Sequence, residues 1–178
     1  MKFSPQLLMA VLATTVSATP LIFQRDYNSI SVVVTNVQSK IDVVDVAINK
    51  DDSQGVISSG QVLISTIQSG TVEVKKSDEL SLADAAKLLG PVGELKKHGQ
   101  TFHDDLVAKL KRIEELKMCD KARELLGQFQ SSARELIDAM LSKCPEASRQ
   151  IAAGQAKEIT DLIDDVVNKF GQGKCNNA

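Results

Sequence analysis

The chain is predicted to be all-α, an antiparallel bundle of about five long helices in a single domain. Three observations carry that expectation. Aliphatic residues recur at steps of three and four over long stretches, the period of a helix with one buried face. The breaks between stretches are short, which favours antiparallel neighbours. Aromatic residues make up only 3% of the chain and Trp is absent, so Val, Ile, Leu and Ala supply nearly all of the apolar mass.

Residues 1–18 read as a leader rather than as part of the bundle. Lys2 supplies the charge, Leu7 to Leu12 the apolar run, and Val16, Ser17 and Ala18 the small residues that suit cleavage after Ala18. The run is too short to span a bilayer. Its removal leaves 160 of 178 residues, the size of one compact domain.

The first stripe runs from Tyr27 to Lys50, with Ile30, Val33, Val34, Val37, Ile41, Val44 and Ile48 on one side. Its β-branched residues would suit strands, but no turn interrupts the run and the spacing never settles to two, so length decides for helix. A second stripe after Ser53 takes in Val56, Ile57, Leu63, Ile64, Ile67 and Val74. Gly55, Gly60 and Gly70 each cost about 1 kcal/mol of helix propensity relative to Ala, which marks this segment as the candidate mobile element.

Ser81 and Asp84 make a capping-type start before Leu82, Ala85, Leu88 and Leu89, and Gly90-Pro91 is expected to bend or end that helix. The next stripe uses Val92, Leu95, Phe102, Leu106, Leu110, Ile113 and Leu116, opposite a charged face from Lys96 to Glu115. Cys119 opens a helix through Leu125, Leu126, Phe129, Ala133, Leu136, Ile137 and Met140 to the break at Lys143-Cys144-Pro145. The last helix carries Ile151, Ile159, Leu162, Ile163, Val166, Val167 and Phe170 as far as Gly171.

Charge and motifs exclude more than they assign. The net charge of −2, or −3 without Lys2, offers no attraction to phosphate backbones, which disfavours nucleic acid. No Asn-x-Ser/Thr sequon occurs, and the segment from Gly173 to Ala178 lacks the hydrophobic tail of a lipid-anchor signal, so a released protein is expected. His98 and His103 are five residues apart without a zincin Glu between them and are assigned to a solvated surface. Neither a metal nor a cofactor is expected. The paired acids Asp51-Asp52, Asp104-Asp105, Glu114-Glu115 and Asp164-Asp165 are sequence neighbours that point apart, unlike the opposed carboxylates of a glycosidase. With no G-x-S-x-G, P-loop or dinucleotide fingerprint, the expectation is a protein that is not an enzyme.

Three cysteines leave one thiol over if a single bridge forms. Cys144 and Cys175 flank the last helix, roughly 37 Å apart at 1.5 Å per residue, and Cys119 and Cys144 flank the helix before it. Cys119 begins one member of the terminal hairpin and Cys175 follows the other. Antiparallel packing brings those ends together, so a Cys119 to Cys175 bridge is expected, with Cys144 free or engaged in a dimer.

An ordered set of motifs, Arg25-Asp26 before the first stripe, Leu80-Ser81-Leu82-Ala83-Asp84-Ala85, Pro91-Val92-Gly93-Glu94-Leu95 and Asp104-Asp105-Leu106, resembles the fungal hydrophobic surface binding protein A family, which includes cell wall galactomannoproteins. The likeness covers most of residues 22–172. It implies a secreted or wall-associated helical bundle that binds a fatty acid or other lipid in an internal apolar cavity, or that adsorbs to hydrophobic surfaces and recruits other secreted proteins, as a monomer or weak dimer. This chain lacks the Ser/Thr-rich tail of the glycosylated wall members.

The inward register then nominates Val33, Val37, Ile41, Val44, Ile57, Ile64, Ile67, Leu106, Leu110, Ile137, Met140, Ile159 and Ile163 as lining residues of the cavity or core. Ser58 and Ser65, with Gln54 and Ser59, are the candidates for a ligand's polar end.

Overall fold

A computed structural model describes residues 20–177, with side chains from Asp26 onward. The leader assigned to residues 1–18 lies outside the described residues. The chain forms α1 (Pro20–Asn49), α2 (Ser53–Lys76), α3 (Leu82–Ala108), α4 (Leu110–Glu115), α5 (Cys119–Ser142) and α6 (Glu146–Lys169), and no strand occurs among the described residues. Five helices are long and α4 is a short connector.

Local chemistry fixes the helix starts. The Asp52 carboxylate accepts the Gly55 N–H at 2.9 Å to cap α2, and Ser81 Oγ accepts the Asp84 N–H at 3.1 Å to cap α3. Asp51 holds a left-handed backbone, φ 53°, in the tight turn from α1 to α2.

The expected break at Gly90-Pro91 is not there. One helix runs through Pro91 from Leu82 to Ala108. An interior proline costs about 3 kcal/mol, but Ala85 and Leu88 before it and Phe102 and Leu106 after it are all buried in one continuous line, and that packing outweighs the lost hydrogen bond. The run expected from Val92 to Leu116 divides instead at Lys109. There α4 packs Ile113 on the core while Lys109 Nζ and Arg112 Nε reach the Asp51 carboxylate at 2.8 and 3.4 Å.

The neighbours close a ring. α2 packs on α1, α1 on α3, α3 on α6, α6 on α5 and α5 on α2. Five helices around a ring leave an axis that no helix fills, and the buried aliphatic side chains converge on it. α2 is held firmly despite its glycines, with Leu63, Ile64, Ile67, Thr71 and Val74 buried. The loosely covered element is α6, whose buried residues are Ile163 and Val166, both in its second half.

Gly70 is required by close approach. A Cβ built there would lie 2.5 Å from Val33 Cγ1, so α1 and α2 touch backbone to side chain at this level. Gly70→Ala is expected to lower stability by about 1 to 3 kcal/mol in urea denaturation, the cost of overpacking. Gly127→Ala, where a Cβ meets nothing within 4 Å, is expected to raise it by up to about 1 kcal/mol.

The chain end is tied to the start of α5. Cys119 and Cys175 are bridged with their Cα atoms 5.6 Å apart. Arg123 donates to the carbonyls of Phe170 and Cys175, both at 3.1 Å, and Asn177 Oδ1 accepts the Cys119 N–H at 2.9 Å. Cys144 stands outside this bridge and is buried.

Candidate functional site

Two apolar pockets lie on the ring axis, one above the other. The larger, about 140 Å³, is walled by the part of α5 from Leu126 to Leu141, by α3 from Ala85 to His103 and by α6 from Ala152 to Val166. Ile30, Val37 and Ile41 of α1 and Ile67 of α2 complete it. The smaller, about 90 Å³, occupies the other end, between Val44 and Ile48 of α1, Val56 to Ile64 of α2, Leu106 of α3, Ile113 beyond it and Ala122 to Phe129 of α5.

Of the residues nominated from sequence, Val37, Ile41, Ile67, Ile137, Met140, Ile159 and Ile163 border the larger pocket, and Val44, Ile64 and Leu106 the smaller. Leu110 packs on the core and Ile57 is half-buried, both outside the two pockets. Val33 forms the floor of an open groove on the outer side of α1 and α2, and Ser58 and Ser65 are exposed on that groove's rim. They point away from the axis because the register that turns Ile64 inward turns Ser65, and Ser58 seven residues before it, outward by about 100°. Ser58 Oγ donates to the Gly55 carbonyl at 3.2 Å.

Sequence reasoning passed over Leu88, Val92 and Leu95, which line the larger pocket because α3 is unbroken. It also passed over Phe102 and Phe129, whose rings meet edge to face at 6.2 Å. Both sat in the recognised stripes, and the pairing of two aromatic rings across the axis needed the ring closure to become visible.

The histidines bridge neighbouring helices rather than standing free in solvent. Five residues turn an α-helix by about 140°, so His98 faces α1 and His103 faces α6. His98 Nε2 and Gln38 Nε2 are 3.0 Å apart, and His98 Nδ1 meets Asp42 Oδ1 at 2.5 Å. His103 Nε2 meets Asp165 Oδ2 at 2.7 Å, Nδ1 meets Asp104 Oδ1 at 2.8 Å, and the side chain is only 14% exposed. Burial acts to lower the His103 pKa, but the hydrogen bonds to Asp165 and Asp104 outweigh it and hold the imidazole above its ordinary value. Lys96, also placed on the solvated face by sequence, borders the larger pocket with His103 and Gln155, its amine 2.5 Å from Glu158 Oε2.

A second polar seam joins α1 to α3. Burial, followed by the neighbouring charge of Asp105, pushes the Asp45 carboxyl up to about 6, and its Oδ1 is buried without a partner. Asn49 Nδ2 donates to Asp105 Oδ2 at 2.7 Å in the same seam. A carboxyl raised above its unfolded value of about 3.9 destabilises the fold as pH climbs from about 4 through about 6, and the full cost stands above that. Asp45→Asn is therefore expected to melt at a higher temperature than the parent at about pH 7, with the difference vanishing by about pH 4, in thermal melts across that range. Cys144 borders the larger pocket, and burial, only partly opposed by Arg149, keeps its thiol above its ordinary pKa.

Residues 27–142 match the family model described as hydrophobic surface binding protein A. Cell wall mannoprotein 1 of Aspergillus flavus is 35% identical over 162 residues, covering 89% of this chain and 59% of that protein. Its namesake in Aspergillus fumigatus is 30% identical over 173 residues, covering 96% of this chain and 60% of that protein. The chain thus spans about three fifths of the length of these relatives. Among solved structures, ligand binding domain 1 of the Penicillium marneffei MP1 protein, complexed with arachidonic acids, superposes with a TM-score of 0.79 at 21% identity, over 83% of this chain and 99% of that one. AFMP4P in complex with palmitic acid superposes with a TM-score of 0.76 at 19% identity, over 82% and 99%. These two likenesses establish a common fold. By the match over residues 27–142, the chain belongs to the hydrophobic surface binding protein A family.

Proposed function

We infer that this chain is a secreted, wall-associated binding protein without enzymatic activity, which holds a fatty acid along the axis of its helical ring. The observation that carries the reading is the larger axial pocket, lined by aliphatic side chains from α1, α2, α3, α5 and α6, with Lys96, His103 and Gln155 as the polar side chains on its margin. Each methylene moved from water into such a lining contributes about 0.8 kcal/mol, so an acyl chain supplies the gross energy for binding before ordering costs. The complexes of the MP1 domain with arachidonic acids and of AFMP4P with palmitic acid support the same ligand class. The 140 Å³ void is small for an acyl chain, so entry requires the first half of α6 to move outward.

Delipidated protein titrated with palmitic acid tests this by native mass spectrometry. The expected result is a one-to-one complex of a monomer with micromolar or tighter affinity; absence of a complex at about 100 μM ligand would remove the reading.

A second reading rests on a different surface. Val32, Val43 and Val46 of α1 and Val62 and Val72 of α2 are about half exposed, and α2 carries no charged residue from Ser53 to Val72. Such a face suits adsorption to a hydrophobic solid or the cell wall. Val32→Asp with Val62→Asp would reduce retention on alkylated beads and leave fatty-acid binding intact.

A further inference from the structure

The two axial pockets share Phe102, Leu126 and Phe129 and no other lining residue. These three side chains come from α3 and α5, on opposite sides of the ring, and the two rings meet edge to face at 6.2 Å. Every other wall position belongs to one pocket alone. The axis is thus a single channel interrupted by one layer of side chains, two of them aromatic.

We propose that Phe102, Phe129 and Leu126 form a partition that fixes the length of acyl chain the protein accepts. The inference rests on the fatty-acid reading above and adds the residues that set its selectivity. Along α5, Phe129 to Leu141 spans about 18 Å at 1.5 Å per residue. An extended acyl chain advances about 1.25 Å per carbon, from tetrahedral bonds of about 1.5 Å, so the larger pocket takes about 14 carbons. Met118 to Phe129 adds about 16 Å on the far side, closed to the ligand while the rings stay in contact. Phe102 is buried at 8% exposure and Phe129 packs against the core, so the stop is made of two rings in contact across the axis.

The test is a titration of delipidated protein with saturated fatty acids of about 12 to about 24 carbons. Affinity in the parent should rise by up to about fourfold per methylene and level off near the length of the larger pocket. Phe129→Ala opens the partition, and its plateau should move out by several carbons. Phe129→Leu, which removes less volume and threatens the fold less, should move it part of the way. Adding Ile113→Phe, which fills the smaller pocket alone, should return the Phe129→Ala plateau toward the parental length. A plateau unchanged in both Phe129 variants, in protein that keeps its helical spectrum, overturns the partition and leaves the fatty-acid reading standing. A parent that binds none of the series overturns the reading beneath it.

Discussion

Ile137→Asp is expected to abolish fatty-acid binding, with a loss of at least about 100-fold. Ile137 sits on α5 in the wall of the larger pocket, one residue beyond buried Leu136 and three before Met140. A carboxylate there has no cationic side chain of the pocket wall on its own helix, and it would face the apolar chain. Placing an unpaired charge against an apolar ligand costs several kcal/mol, and each 1.4 kcal/mol is tenfold in affinity. Ile151→Asp serves as the control, because Ile151 is 60% exposed on α6 and outside the pocket, so its binding should match the parent. Equal affinity in the Ile137 variant and the control would place the ligand elsewhere.

Replacing both Cys119 and Cys175 by Ser is expected to produce the largest loss of stability. The bridge closes a sequence separation of 56 residues, and a loop of that size constrains the unfolded chain by about 4 kcal/mol. For a domain of this length that corresponds to a fall in Tm of about 8 to 16 °C. The tail keeps its hydrogen bonds from Arg123 and to the Cys119 N–H, so the variant should still fold. A loss below about 1 kcal/mol would mean that those contacts, rather than the covalent link, hold the chain end in place.

The helical periods in the sequence located α1, α2, α5 and α6 because each presents one aliphatic stripe and ends at an evident break. α3 was misjudged at Pro91 because the cost of a proline is local while the packing of Leu88, Phe102 and Leu106 that offsets it is set by α1 and α6. The pocket walls were legible as inward residues, yet nothing in a period separates a residue that fills a core from one that borders a void. That distinction comes from closing five helices into a ring. The polar margin was the least legible. Ser58 and Ser65 looked suitable by residue type and lie on the outer groove, whereas Lys96 and His103 looked like members of a charged face and reach the pocket because α6 packs over them.

Cys144 gives the most direct test of where the ligand sits, since it is the one thiol outside the bridge and it borders the larger pocket. Its alkylation by a small neutral maleimide can be followed by mass spectrometry, which also counts bound ligand on the same molecules. With one fatty acid bound, labelling is expected to slow by at least about tenfold, because the acyl chain occupies the space the reagent must enter. Labelling at the same rate on molecules that carry a fatty acid would contradict an axial site.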